Sequence, residues 1–135
     1  MSPETALVAA TALHLGFQSV VTVVVYPALS RTPPESWEDA HAAHSRRISV
    51  LVVPLYLAVV VACGWVVVAG PVTTGSVLAV VGNGVAMAVT AVVAAPSHGR
   101  LGRHGASSGE LSRLLAADRV RLVATFVALV AAVSV

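Results

Sequence analysis

His41 and His44 stand three residues apart in the stretch WEDAHAAHSRRIS, and Arg46 and Arg47 follow at once. Imidazole titrates near neutral pH, so a histidine serves equally as general acid, general base or metal ligand. On a helix, Trp37, His41, His44 and Ile48 share one face, at steps of four, three and four residues. A second polar stretch, APSHGRLGRH, carries His98 and His104, and Asp118 and Arg121 lie at i and i+3 further on. Tyr26 closes the first apolar run. Held at one depth, His41, His44, His98, Asp118, Arg121 and Tyr26 make a catalytic set in which a carboxylate and a guanidinium orient imidazoles that move protons. The same imidazoles His41, His44 and His98 are the ligand set the spacing offers to a divalent metal, and no cofactor at all is the other reading.

A second stripe runs through the first apolar segment, where Thr11, His14, Gln18, Thr22 and Tyr26 recur at steps of three and four. Asn83, Met87 and Thr90 in the third segment and Thr125 in the fourth are candidates to face it. His14, Gln18 and Asn83, with Trp37, are the candidate substrate-binding residues, and hydrogen-bond glue between helices is the plainer alternative. Trp37 also suits an interfacial aromatic belt. Haem is disfavoured, because no second histidine lies at the depth of His14 within the apolar runs. Gly82-Asn83-Gly84 follows no strand, which excludes a phosphate loop.

These side chains need elements to carry them. The chain has 135 residues, 57% hydrophobic and 10% charged, with a mean hydropathy of +0.89. A soluble domain is about 25% charged, so the composition is that of a membrane protein. The net charge of +2 gives no reason to expect nucleic acid. The lone Cys63 forms no intrachain disulfide. The N-terminal run has Glu4 as its only charge and no basic flank, so it reads as a retained span rather than a signal peptide.

Four segments approach the roughly 20 apolar residues that a span needs: about 5–29, 48–69, 76–95 and 116–135. Their length without alternation rules out transmembrane strands, and backbone groups in lipid are satisfied within helices. The expected fold is all-α, an integral-membrane four-helix up-down bundle forming a single domain over 1–135. Thr32 with Glu35, and Ser107 with Glu110, have the spacing of capping boxes that would open the second and fourth helices. Pro96 is expected to close the third span at the interface, with His98 directly after it, and Pro54 to kink the second.

All eight basic residues are arginines, and they cluster in two places. Arg31, Arg46 and Arg47 lie between spans one and two. Arg100, Arg103, Arg113, Arg119 and Arg121 lie between or beside spans three and four. The connection GPVTTG has none. With four spans, both arginine-bearing connections share one side, which the positive-inside rule makes cytoplasmic, leaving both termini extracytoplasmic in the cell membrane.

Four stretches, HLGFQSVVTVVVYPAL, HAAHSRRISVLVVPLY, APSHGRLGR and LSRLLAADRVRL, together resemble a group of small bacterial four-helix membrane proteins. More distantly they are similar to the anthrone-oxygenase-like membrane family. Tyr26, Pro27, His41, His44, Pro96, His98, Leu101 and Arg121 match that pattern, whereas Asp118 and Arg119 stand where Asn and Trp are usual. The resemblance implies an oxidoreductase-like, cofactor-independent enzyme of polycyclic aromatics, or a related tailoring enzyme.

Three function classes compete: a membrane enzyme acting on a lipophilic small molecule through the histidine cluster, a non-catalytic accessory or ligand-binding subunit, and a small transporter. The absence of Asp or Glu from the span interiors counts against a proton-coupled exporter. The lipid bilayer and a hydrophobic small molecule are the expected partners, and a homo-oligomer is open. The arginine asymmetry gives a direct test. A reporter enzyme fused after Val135 should be active only on the extracytoplasmic side, and activity in the cytoplasm would invert the map.

Overall fold

The computed structural model describes every residue from Met1 to Val135. It is built from four helices: α1 (Pro3–Ser30), α2 (Pro34–Ala69), α3 (Thr74–His104) and α4 (Ser108–Ala132). The helix starts follow local chemistry. The Ser2 hydroxyl accepts from the Thr5 amide at 3.2 Å, with Pro3 in the first turn of α1. Thr73 and Ser76 close a reciprocal capping box at the start of α3.

The two expected capping boxes do not form. A proline disfavours the helical region for the residue before it, and Pro33 stays extended ahead of Pro34. A 3₁₀ turn over Pro34–Ser36 then leads into α2, and the Thr32 hydroxyl turns back to the Ala28 carbonyl. Ser107 precedes α4 without a side-chain cap. Glu110 is taken instead by Arg100, whose Nε and Nη2 donate to its two carboxylate oxygens at 2.8 and 3.0 Å. A forked pair of charged bonds outcompetes one bond to an amide. That pairing holds the Glu110 carboxyl below its ordinary range.

Cross-helix contacts fix the directions. Gly75 lies against Ala131, and Gly82 against Ala124 and Ala128, while Thr90 meets Arg121 and Arg100 meets Glu110. So α3 and α4 are antiparallel. His14 with Asn83 and Tyr26 with His98 run α1 parallel to α3. His41 with His98 and Tyr56 with Thr90 run α2 against α3. This is the up-down arrangement. One apolar core, including Leu7, Val66, Ala79 and Ala131, fills the end near the termini. Another, including Tyr26, Leu29, Trp37, Leu101 and Leu114, fills the arginine-rich end.

Three helices, α1, α2 and α3, are long and apolar enough to cross a membrane. The expected fourth span is not among them. Asp118, Arg119 and Arg121 leave α4 an uncharged helical run only from Leu122 to Ala132. α2 buries the smallest share of its apolar stretch, 17% against 28% for α1 and α3, and so leaves the most apolar surface on the outside of the bundle.

Pro96 does not end its helix. In both α1 and α3 the chain widens into one π-helical turn, Val21–Val25 and Thr90–Ala94, directly ahead of Pro27 and Pro96. A proline ring collides with the carbonyl four residues back and removes one hydrogen bond, and a π turn absorbs both without breaking the helix. Pro54 lies inside α2, which runs on from Trp37 to Ala69.

The closest helix contact predicts a stability difference between two glycines. A Cβ on Gly82 would stand 2.8 Å from the Ala124 carbonyl and 2.9 Å from the Ala128 Cβ, whereas one on Gly84 meets nothing within 4 Å. Gly82→Val should therefore lower stability in detergent by about 1–3 kcal/mol. Gly84→Ala should be neutral or stabilising by up to about 1 kcal/mol. Unfolding midpoints of the two variants check this.

Candidate functional site

A buried cation organises the middle of the bundle. Arg121, on α4, is 5% exposed, and Asp118, one turn earlier, is 1% exposed. Arg121 Nη2 donates to an Asp118 oxygen at 3.1 Å and to the Tyr26 hydroxyl at 2.9 Å. Its Nη1 donates to the Thr90 hydroxyl at 3.3 Å. Its Nε has no partner. The guanidinium carbon lies 5.9 Å from the centre of the Tyr26 ring. Gln18 donates its amide to the same Asp118 oxygen that Arg121 uses.

From Tyr26 the network continues into the histidines. The Tyr26 hydroxyl lies 3.4 Å from His98 Nε2, and His98 Nδ1 lies 3.2 Å from His41 Nε2. A hydroxyl that accepts from Arg121 is free to donate to His98 Nε2. A neutral His98 then carries its proton on Nδ1 and donates to His41 Nε2. The opposite polarity, with His41 donating to His98 and His98 to Tyr26, satisfies the same geometry. His44 stands beside this chain without a hydrogen bond, its ring 5.6 Å from that of His98.

The structure thus brings together Tyr26, His41, His44, His98, Asp118 and Arg121, six residues from four helices. They are not arranged for a metal. Nowhere does the chain group three His, Cys, Asp or Glu side chains in a way that could hold an ion. In the set His41, His44 and His98, two rings already spend a nitrogen on each other. His104 is exposed at the end of α3.

A cavity of about 210 Å³ lies alongside, between α2 and the other three helices. Phe17, Val21, Ile48, Val52 and Ala94 give it an apolar wall, and Tyr26, His44, Tyr56, Thr90, His98 and Arg121 line its polar side. Ser49 and Ala95 on its rim are exposed, so it opens at the bundle surface. Tyr56 was not among the candidate residues. It continues the face of Trp37, His41, His44 and Ile48 along α2, and its hydroxyl pairs with Thr90 at 2.7 Å.

The four candidate substrate-binding residues lie off this cavity. His14, Gln18 and Asn83 are fully interior and spent on the bundle itself. Asn83 donates its amide to Thr11 and to the Ala79 carbonyl at 2.9 Å each, which turns its oxygen toward His14 Nδ1 at 2.8 Å. His14 is therefore protonated on Nδ1. Its Nε2 has no hydrogen-bond partner, and its ring meets Tyr56 edge-on with centres 5.3 Å apart. Trp37 is not a surface belt residue: it is 3% exposed, stacks on His41 and donates its indole N–H to the Leu101 carbonyl. A buried polar group without a partner costs about 1–3 kcal/mol, so interior polar side chains pair first with one another.

Comparison with protein-family models, with curated proteins and with solved structures returns no match.

Removing one member of the buried ion pair strands the other. Asp118→Ala should destabilise the protein by about 3–5 kcal/mol, because Arg121 is left as an uncompensated interior cation. The paired change Asp118→Leu with Arg121→Met should recover most of that loss. Unfolding in detergent distinguishes the two.

Proposed function

We propose that this chain is a membrane-embedded enzyme that removes a proton from an enolisable, lipophilic small molecule held in the cavity between α2 and the rest of the bundle. One observation carries the reading. An imidazole, a phenol and a guanidinium, linked in series, line the polar side of a cavity whose opposite wall is apolar. Such a cavity recognises a flat apolar ligand with one polar end.

In this reading the substrate carbonyl oxygen sits against Arg121 and the Tyr26 hydroxyl. His98 Nε2 takes the acidic C–H proton, and the C–H electron pair moves into the enolate. Charge develops on oxygen beside a fixed cation, inside a pocket with little water, where such stabilisation is strongest. Asp118 keeps Arg121 balanced when the cavity is empty. In this reading the arginine-rich side of the bundle faces the cytoplasm, with the cavity near that boundary, α4 as the fourth span and both termini outside. The resemblance to the anthrone-oxygenase-like family supports a polycyclic substrate.

Two outcomes of the enolate are chemically distinct. In an acid–base enzyme the proton returns. In an oxygenase-like enzyme the enolate carbon forms a bond to dioxygen, which the enolate reduces to a bound hydroperoxide. Oxygen uptake separates them.

The test uses the purified protein in lipid nanodiscs with anthrone as the probe, a lipophile whose methylene is acidified by a carbonyl. Under argon in D₂O, the wild type should accelerate deuterium entry at the methylene over empty nanodiscs. His98→Gln should lose about 10²–10⁴-fold of that acceleration, the usual contribution of a positioned general base. A wild type no faster than His98→Gln would sink the enzyme reading. The accessory-subunit reading would then lead, with the exposed apolar face of α2 as its docking surface.

A further inference from the structure

His41 belongs to two places at once. Its Nε2 reaches His98, which lines the apolar cavity. The rest of its ring lines a second cavity of about 440 Å³ on the other side of the pair, walled by Trp37, Glu38, Leu101, Gly102, Arg103 and Gly105. His41 itself does not line the first cavity, and His98 does not line the second. The imidazole pair is therefore part of the wall between them, beside Ser45, which lines both. His41 Nδ1 makes no hydrogen bond within the chain and is not among the sealed, unpartnered atoms. It faces Gly102, where a Cβ would stand 3.5 Å away. Glycine there leaves the ring edge uncovered.

We propose that His98 and His41 form a proton path that connects the apolar cavity to water in the second cavity, with His41 Nδ1 as its outlet. The inference rests on the reading of the apolar cavity as a working site, and it assigns His41 a role through His98 rather than on substrate.

Every proton in the path has a place to go. His98 starts with its proton on Nδ1, and so does His41. A proton arriving from the cavity adds to His98 Nε2. The His98 Nδ1 proton crosses the 3.2 Å contact to His41 Nε2. The His41 Nδ1 proton leaves to water. One proton has entered and one has left, and both rings end neutral in the opposite tautomer. That end state is the second hydrogen-bond polarity that the geometry accepts, in which His41 donates to His98 and His98 to Tyr26. Running the path backward delivers a proton to the cavity and restores the first state, so neither ring has to turn over.

The surroundings favour neutral rings. Arg121, Tyr26 and His44 face His98, and Arg103 lines the outlet with His41. Two charged imidazoles in contact, beside a buried guanidinium, would repel one another. Glu38 is the one carboxylate at the outlet, placed to draw a leaving proton outward. Trp37 holds the ring of His41 in place by stacking at 5.4 Å between centres.

The test reads exchange of the His98 ring proton with water, by NMR of the ¹⁵N-histidine-labelled protein in nanodiscs, without any substrate. His41→Gln keeps a hydrogen-bonding side chain but cannot take a proton at one atom while releasing another. Gly102→Val covers the outlet and leaves both histidines in place. Both variants should slow His98 exchange by an order of magnitude or more, while His104→Gln, exposed at the end of α3, should leave it at the wild-type rate. Free imidazole should restore the rate in His41→Ala, whose shortened side chain leaves room for it. Wild-type exchange in both His41→Gln and Gly102→Val, with the His98 ring signals unshifted, would overturn the path. Equal slowing in His104→Gln would also overturn it, since His104 lines neither cavity. Slowed exchange in a protein that leaves anthrone untouched would keep the path and sink the enzyme reading. Normal exchange beside active turnover would do the reverse.

Discussion

The arrangement of this bundle depends on one guanidinium buried among four helices. Arg121 is buried in the middle of α4 and has to be answered by α1 and α3 as well as by its own helix. Taking a cation out of water costs several kcal/mol even after relaxation, and only well-placed partners offset it. Asp118 supplies the opposite charge, Gln18 steadies Asp118, and Tyr26 and Thr90 each accept one further guanidinium hydrogen bond, which leaves only the Nε unpartnered. Each of these partners has a second obligation. Tyr26 meets His98, Thr90 meets Tyr56, and through them α2 is drawn in. A polar requirement at one residue thereby fixes the rotation of all four helices. Apolar packing alone leaves rotation loosely specified, because lipid tails are as apolar as the valines that cover these helices.

A division of labour follows along the bundle. The half nearer the termini uses its polar groups for cohesion: Thr11, His14 and Asn83 are hydrogen-bonded in series, with only the His14 Nε2 unpartnered. The arginine-rich half leaves polar atoms facing open space. The difference comes from the fit of α2. Between Val59 and Val66 that helix packs closely. Toward Ser49 it stands off from α3, and the cavity occupies the gap.

Much of this was legible in residue spacing. Helical periodicity put Trp37, His41 and His44 on one face, and matched depths brought His98, Tyr26, Asp118 and Arg121 toward them. What spacing could not reveal was how each polar group would be spent. Gln18 and Asn83 look as available in sequence as Tyr26 does, yet their partners exhaust them, and partners are a matter of tertiary geometry. Trp37 has the composition of a belt residue, but Leu101 offers its indole a carbonyl inside the bundle. Tyr56 was overlooked because the face it continues was followed only as far as the membrane edge. The continuation of α3 past Pro96 was hidden for a different reason: a proline in a sequence signals a break, and nothing local tells a break from a π turn. The charges of α4 were visible from the start, and they are what sets it apart from the three helices apolar enough to span.

The two π turns stand at one level of the bundle, one on each of two parallel helices. Each spreads about one extra residue over its turn, and an α-helical residue is worth about 100° of rotation. Beyond Val25 and beyond Ala94, α1 and α3 therefore present faces that the phase of their first halves would have pointed elsewhere. Either insertion alone would put its helix out of step with its neighbour. Made together at one level, they keep the pair mutually aligned while both turn relative to α4, which has no such insertion. The bundle behaves as two short bundles of different phase, joined end to end. The joint lies at Arg121, whose long side chain reaches Tyr26 just past one turn and Thr90 at the start of the other. One half can then be shaped for cohesion and the other for chemistry, each with its own helical phase.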